Sequence, residues 1–198
     1  MPETPRLILA SASPRRAELL REAGYAFEVD AADVDESKYP PGMLPAQVAM
    51  YLAEQKARAV AERHVNDVVL AADTVVAFGD TLLGKPPEAA AAKRMLVLLS
   101  GTTHIVITGI FVMHLAANFS RGAKTMSAVR MRMLTSKEID AYVAGGAWQG
   151  KAGGYGIQDP DPFVIRQAGS HTNIVGLPME LTGKLLAEAG IRPSPPNH

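Results

Sequence analysis

The segment Leu7-Ile8-Leu9-Ala10-Ser11-Ala12-Ser13-Pro14-Arg15-Arg16 commits the chain to a strand that runs straight into a helix. Leu7 to Ala10 reads as a buried strand. Ser13 suits a helix N-cap and Pro14 the first helical position, and Ala17-Glu18-Leu19-Leu20 carries the helix on. The same residues assemble an anion site from three sources. First-turn amides have no carbonyl partner, and the helix dipole favours negative charge above them. Arg15 and Arg16 add forked donors that match phosphate oxygens, and Ser11 adds a hydroxyl.

The remaining pattern alternates and then changes. Residues 7–10 form a strand and 14–23 a helix stopped by Gly24; 25–29 read as a second strand. Leu44 to His64 carries an apolar helical stripe through Val48, Leu52, Ala59 and Val60. Val68 to Phe78 is a strand, Gly79-Asp80 a hairpin turn into a short strand, and Pro87 to Leu99 a helix. Thr103 to His114 and Met126 to Met133 read as long strands joined by a loop around Asn118 to Gly122. Thr135-x-x-Glu138 is a capping box that starts a helix. Residues 144–162 are glycine-rich and irregular, Phe163 to Gln167 and Asn173 to Val175 are strand candidates, and Pro178 to Ala189 is the last helix. Direct strand-to-strand connections near 115–125 require antiparallel pairs, so the class is α/β with a mixed sheet flanked by helices.

With 198 residues, one domain is expected, its core at about 6–190 and a frayed tail at 192–198. Hydrophobic residues make up 47% and charged residues 20%, which is ordinary for a globular protein. Formal net charge is zero, which argues against a nucleic-acid partner. No cysteine is present, which excludes disulfides and thiol catalysis. The polar start and the short apolar runs point to no leader, no membrane span and a cytosolic protein.

A second polar set interrupts apolar surroundings. Asp73 stands inside Ala71-Ala72-Asp73-Thr74-Val75-Val76, where a carboxylate must be paired, hydrogen-bonded, metal-bound or facing a cleft. Hard oxygen ligands there suit Mg²⁺ or Mn²⁺, and the histidines lack zinc spacing. Composition alone reads Asp33, Asp35 and Glu36 as a solvated acidic loop and Lys56 as a surface lysine. Gly84-Lys85-Pro86 puts a lysine on a tight turn. Gly150-Lys151-Ala152-Gly153-Gly154-Tyr155-Gly156-Ile157-Gln158 allows close backbone approach to a ligand, and Gln158 offers donor and acceptor to a base edge.

Taken in order, Ser11-Ala12-Ser13-Pro14-Arg15-Arg16, Glu54-Gln55-Lys56-Ala57, Ala72-Asp73-Thr74, Gly84-Lys85-Pro86, Ser100-Gly101, the 150–158 run and Val175-Gly176-Leu177-Pro178 resemble the Maf family of nucleoside triphosphate pyrophosphatases. The resemblance runs from about residue 7 to residue 189. It implies an elongated fold similar to inosine-triphosphate pyrophosphatase, with a cleft between two lobes. It implies divalent-metal-dependent hydrolysis of a nucleoside triphosphate to the monophosphate and pyrophosphate, and a homodimer. By motif position Asp73 is implied as catalytic and, with Glu36, as the metal carboxylates. Ser11, Arg16, Lys56 and Lys85 are implied for phosphates, with Lys151 a further substrate-binding candidate in the glycine-rich run. Arg15, Thr74 and Gln158 match the branch that resembles dTTP/UTP pyrophosphatases, rather than the 7-methyl-GTP branch with Trp, Gln and Glu. A Gln complements the imide edge shared by thymine and uracil.

Two segments depart from the family pattern. Asp159-Pro160-Asp161-Pro162 follows Gln158 where the family usually has Gly, and Gly169-Ser170-His171 stands where Gly-Ser-Tyr is common. Both fall on the side implied for the base. The sequence leaves open a purine or methylated-purine preference, and a non-catalytic nucleotide-binding regulator of septum formation.

Overall fold

The computed structural model describes residues 5–159 and 163–194. Its centre is a mixed seven-stranded sheet built on β3 (Val68–Phe78). On one edge of β3 lie β1 (Leu7–Leu9), parallel to it, and beyond that β2 (Glu28–Val29), parallel to β1. On the other edge the sheet is antiparallel throughout, through β5 (Thr103–His114), β6 (Phe119–Met131) and β7 (Val164–Ala168). The hairpin strand β4 (Thr81–Leu83) returns along the β1 edge of β3 but only at its far end. β1 pairs with residues 68–70 and β4 with 76–78. Residues 71–75 therefore have no strand partner on that edge, and this gap sets the position of the cleft.

Alternation along β3 sorts its side chains between two layers. The odd face lies under one helix, α2 (Pro45–Ala61), through Val69, Ala71, Val75 and Ala77 against Ala49, Ala57, Val60 and Ala61. Gly109, paired with Asp73, lets α2 come close; a Cβ there would stand 2.5 Å from the Ala49 carbonyl oxygen. The even face carries two separate apolar clusters. Val68, Leu70 and Ala72 pack with Ile110 and Val112 beneath α1 (Pro14–Glu22) and α6 (Met179–Glu188). Val76 and Val106 pack with Val129 and Met131 beneath α3 (Ala89–Leu99) and α4 (Ser136–Ala144). Thr74 and Thr108, a cross-strand pair, lie between the two clusters; Thr74 lines the cleft, and Thr108 is buried beneath it.

Most expected elements stand within a residue or three of their reading, and β3 matches it end to end. Three differ in kind. The strand expected at 25–29 is only Glu28–Val29, because its sole partner, β1, is itself short. The expected loop around Asn118 to Gly122 is mostly strand, since β6 starts at Phe119. Gly122 looks like a turn residue but packs under Phe111, where a Cβ would stand 2.8 Å from the ring. The strand expected at 173–175 is instead the short helix α5 (His171–Val175), capped by the Ser170 hydroxyl, which accepts from the Asn173 amide at 3.2 Å. Its β-branched residues gave a strand reading that this cap overrides. In the expected tail, Ser194 donates its amide to the Gly24 carbonyl at 2.8 Å; residues 195–198 lie outside the described residues. No helix among the described residues is long and apolar enough to cross a membrane.

Candidate active site

The gap in β3 is filled by charged groups from both layers. Arg16, buried at the start of α1, reaches across it on the even face. Its Nη1 donates to the Ala72 carbonyl at 2.8 Å and to Ser11 Oγ at 3.0 Å. Its Nε donates to the Gly176 carbonyl at 2.8 Å and its Nη2 to Thr74 Oγ1 at 3.1 Å. Arg16 thus ties α1, the open edge of β3 and the turn after α5 together, leaving one of its five N–H groups for a ligand. Burial lowers its pKa from the ordinary value, against the pull of Asp73 and Glu36.

Ser13 occupies the N-cap position of α1, but its side chain makes no capping bond; its amide donates to Ser11 Oγ at 3.3 Å. The first helical hydrogen bond is from Ala17 to the Ser13 carbonyl, so the Arg15 and Arg16 amides face the cleft unpaired among the described residues. Arg15 itself, half-buried, donates to the Gly150 carbonyl at 3.3 Å and so bridges α1 to the glycine-rich loop.

Asp73 points the other way, toward α2. It is 4% exposed, and its Oδ1 accepts from Lys56 Nζ at 2.5 Å. Lys56 also donates to Glu36 Oε1 at 2.7 Å, and Lys85 donates to both Glu36 oxygens at 2.6 Å. Asp73, Lys56, Glu36 and Lys85 form one alternating row. Lys56 is only 6% exposed, which overturns its reading as a surface lysine, and half-buried Glu36 is no solvated loop residue. Composition failed at both because only the fold supplies the counter-charge that lets them be buried. Burial pushes the Asp73 carboxyl up, partly offset by Lys56 and Arg16. Burial also works to raise Glu36, but Lys56 and Lys85 overcome it and hold that carboxyl down at about 2.

Two adjoining cavities meet at this row. The larger, about 520 Å³, is lined by Ser11, Arg15, Arg16, Glu36, Lys56, Thr74, Lys85, Lys151 and Gln158. The smaller, about 290 Å³, is lined by Asp73 and shares Glu36, Thr74 and Lys85 with the first. The fold therefore brings every residue of the expected site to one or other of two cavities that share three lining residues, the larger of a size that suits a small ligand. Among the described residues no three His, Cys, Asp or Glu side chains group as a metal cage. Two carboxylates converging on one ammonium do fit Mg²⁺ or Mn²⁺, hard cations that take one or two carboxylates and complete their shell with substrate phosphates and water.

At the opposite end of the larger cavity the loop after Gly150 turns over. Lys151 is paired with Asp159, and Gln158 is exposed at the cavity wall with no hydrogen bond to a described residue. Pro160, Asp161 and Pro162, the rest of the expected departure, lie outside the described residues. Sequence reasoning missed the supports of this loop. Tyr142 of α4 donates to Asp159 Oδ2 at 2.5 Å. Tyr155 bonds the Nε2 of His104 on β5 at 2.5 Å, and burial lowers His104 to about 4 and so keeps it neutral. His104 shares a strand face with Val106 and Thr108, and that buried polar alternation was the available signal; Tyr142 carried none.

Comparison with known proteins places the chain in a family. The family model described as Maf-like protein matches residues 6–189. A protein named dTTP/UTP pyrophosphatase from Novosphingobium aromaticivorans is 44% identical over 191 residues, covering 96% of this chain and 94% of its own. Another of that name from Cereibacter sphaeroides is 46% identical over 187 residues, covering 93% and 95%. Among solved structures, a nucleoside-triphosphatase / dITP/XTP pyrophosphatase from Mycobacterium abscessus overlaps 71% of this chain and 95% of its own. Its 16% identity and TM-score of 0.39 are too low for residues to be carried over.

Proposed function

The chain belongs to the Maf-like protein family, and from that premise we propose that it is a cytoplasmic pyrophosphatase that hydrolyses dTTP and UTP to the monophosphate and pyrophosphate. Relatives of that name support the substrate. The observation that carries the reaction is the row Asp73–Lys56–Glu36–Lys85 beside the unpaired amides of α1. It juxtaposes a general base with donors for a polyphosphate.

In this reading the triphosphate lies along the larger cavity. The α1 amides, Ser11 and the remaining Arg16 N–H meet phosphate oxygens at one wall, and Lys56 and Lys85 meet them at the other. Asp73 takes the catalytic position. Its Oδ1 is fixed by Lys56, while Oδ2 has no partner among the described residues and is left to orient a water and accept its proton. The water oxygen bonds to the α-phosphorus, the α–β bridge breaks, and pyrophosphate leaves with its charge met by the lysines and Arg16. Asp73 and Glu36 would hold a Mg²⁺ or Mn²⁺ ion, which when bound neutralises phosphate charge and acidifies water. Arg15, Lys151 and Gln158 close the base end.

The test is a panel of canonical and modified nucleoside triphosphates, purine and methylated purine included, with Mg²⁺ or Mn²⁺, assayed separately for pyrophosphate and orthophosphate. The expected result is pyrophosphate, fastest from dTTP and UTP. Orthophosphate as the first product contradicts the reaction; a purine preference contradicts the substrate.

A further inference from the structure

Asp159 directly follows Gln158, and its carboxylate is almost fully used. Oδ1 faces Lys151 Nζ. Oδ2 accepts from the Tyr142 hydroxyl at 2.5 Å and from the Gly156 amide at 2.8 Å. The Asp159 amide in turn donates to the Gly156 carbonyl at 3.3 Å. Residues 156–159 are thus a turn closed twice, once by backbone and once by the Asp159 side chain, with Ile157 and Gln158 at its centre. Gly156 leaves room for the pair, since a Cβ there would stand 2.8 Å from the Asp159 carboxylate and 2.9 Å from Lys151 Nζ. The three bonds attach the turn to α4, to the start of the loop and to itself. Gln158 has no such anchor of its own.

We propose that Asp159 is a positioning residue for base recognition: it holds the turn that presents Gln158 and neutralises Lys151, so that the base end adds affinity for the nucleoside without adding charge for the polyphosphate. The inference rests on the reading of the cleft given above. A flexible turn would have to be ordered each time a nucleotide binds, and that entropy is drawn from binding. With the turn already fixed, the Gln158 amide meets a pyrimidine edge at little further loss. Removing the carboxylate therefore weakens binding of the nucleoside portion and leaves the attack on the α-phosphorus unchanged.

The experiment compares wild type, Asp159→Asn and Asp159→Gly by KM and kcat for UTP, by the inhibition constant of inorganic tripolyphosphate, which has no base, and by melting temperature. The Gln158→Ala change is made in wild type and in Asp159→Asn. Asp159→Asn is expected to raise KM for UTP about tenfold with kcat within about twofold of wild type, while tripolyphosphate binds as tightly as to wild type or, with the Lys151 charge released, up to about tenfold tighter. Gln158→Ala is expected to lose most of its effect on KM once Asp159 is changed, because both act through one turn. If Asp159→Gly does not fold, Asp159→Asn carries the comparison. Unchanged KM, a parallel weakening of tripolyphosphate, or an undiminished Gln158→Ala effect overturns the proposal. No pyrophosphate release by wild type overturns the reaction alone. Calorimetric affinities for UTP and tripolyphosphate, in wild type and Asp159→Asn, then decide the role of Asp159, and failure of wild type to bind either overturns both.

Discussion

At one end of the cleft Asp73, Lys56, Glu36 and Lys85 stand in a row, each touching the next, with Asp73 on the central strand and Lys56 on the helix that covers it. At the other end Gln158 is exposed at the tip of a turn whose supports come from a loop and from α4. The inner half of the first end, Asp73 and Lys56, is part of the core, and Glu36 and Lys85 extend the row outward from loops. Its charges are tolerated because each has a counter-charge, and β3, α2 and Gly109 fix the spacing. The second end is an attachment to the core, held by one carboxylate and one buried tyrosine. In the proposed reading, chemistry common to all triphosphates falls on the first end, and discrimination between bases on the end that can change without unfolding the rest.

The largest effect is expected from breaking the rigid end. Lys56→Met leaves Asp73 buried without its cation, and breaking a buried pair on one side costs about 3–5 kcal/mol. For a domain of this size that is a fall in melting temperature of roughly 10 °C, read by calorimetry. A loss of only a degree or two would mean that Asp73 and Glu36 are not held by Lys56. Asp73→Asn keeps the shape and removes the base: turnover is expected to fall roughly a hundredfold or more with the fold intact. Near-wild-type rates in a folded variant would remove Asp73 from the mechanism.

At the attached end the effects are smaller and selective. Gln158→Glu loses the donor for a pyrimidine carbonyl and sets a charge against acceptor oxygens, about 1–3 kcal/mol or ten- to a hundredfold in kcat/KM for dTTP and UTP. Pyrophosphate remains the product, because Arg16, Lys56 and Lys85 are untouched. Hydrolysis of a cationic purine triphosphate falls less or rises. Equal loss of every substrate would make Gln158 structural.

The smallest effect concerns the support under the loop. His104 ionises near 6.5 when unfolded but is lowered to about 4 in the fold by burial, so the unfolded chain takes up the proton first as pH falls. Stability from this group is whole above about pH 6.5 and is lost on the way down to about 4. By pH 5 the loss is about 1–2 kcal/mol. Its signature is a flatter acid limb in His104→Leu than in wild type when urea midpoints are followed from pH 7 to 5; parallel limbs would contradict it.

What could be read from the sequence divides along the same line. β3 and the opening βα step were legible because apolar runs and a Ser-Pro cap are local signals. Asp73 was legible as an anomaly, a carboxylate among alanines and valines. The burial of Lys56 and Glu36 was not, because it depends on partners 17 and 20 positions away from Lys56 that only the fold unites. Gly122 and residues 173–175 misled for a related reason: a glycine under a ring and a Ser-capped helical turn look like a loop and a strand until their neighbours are in place. Asp159 was visible as a departure, but its bond to Tyr142 was not, since Tyr142 lies on a separate helix.

Attack of water on the α-phosphorus beside Asp73 is decided by hydrolysis in ¹⁸O-labelled water. With UTP as substrate, mass spectrometry after a single turnover is expected to find the label in the uridine monophosphate and the pyrophosphate unlabelled. Label in the pyrophosphate would place the attack on the β-phosphorus and remove the proposed reaction.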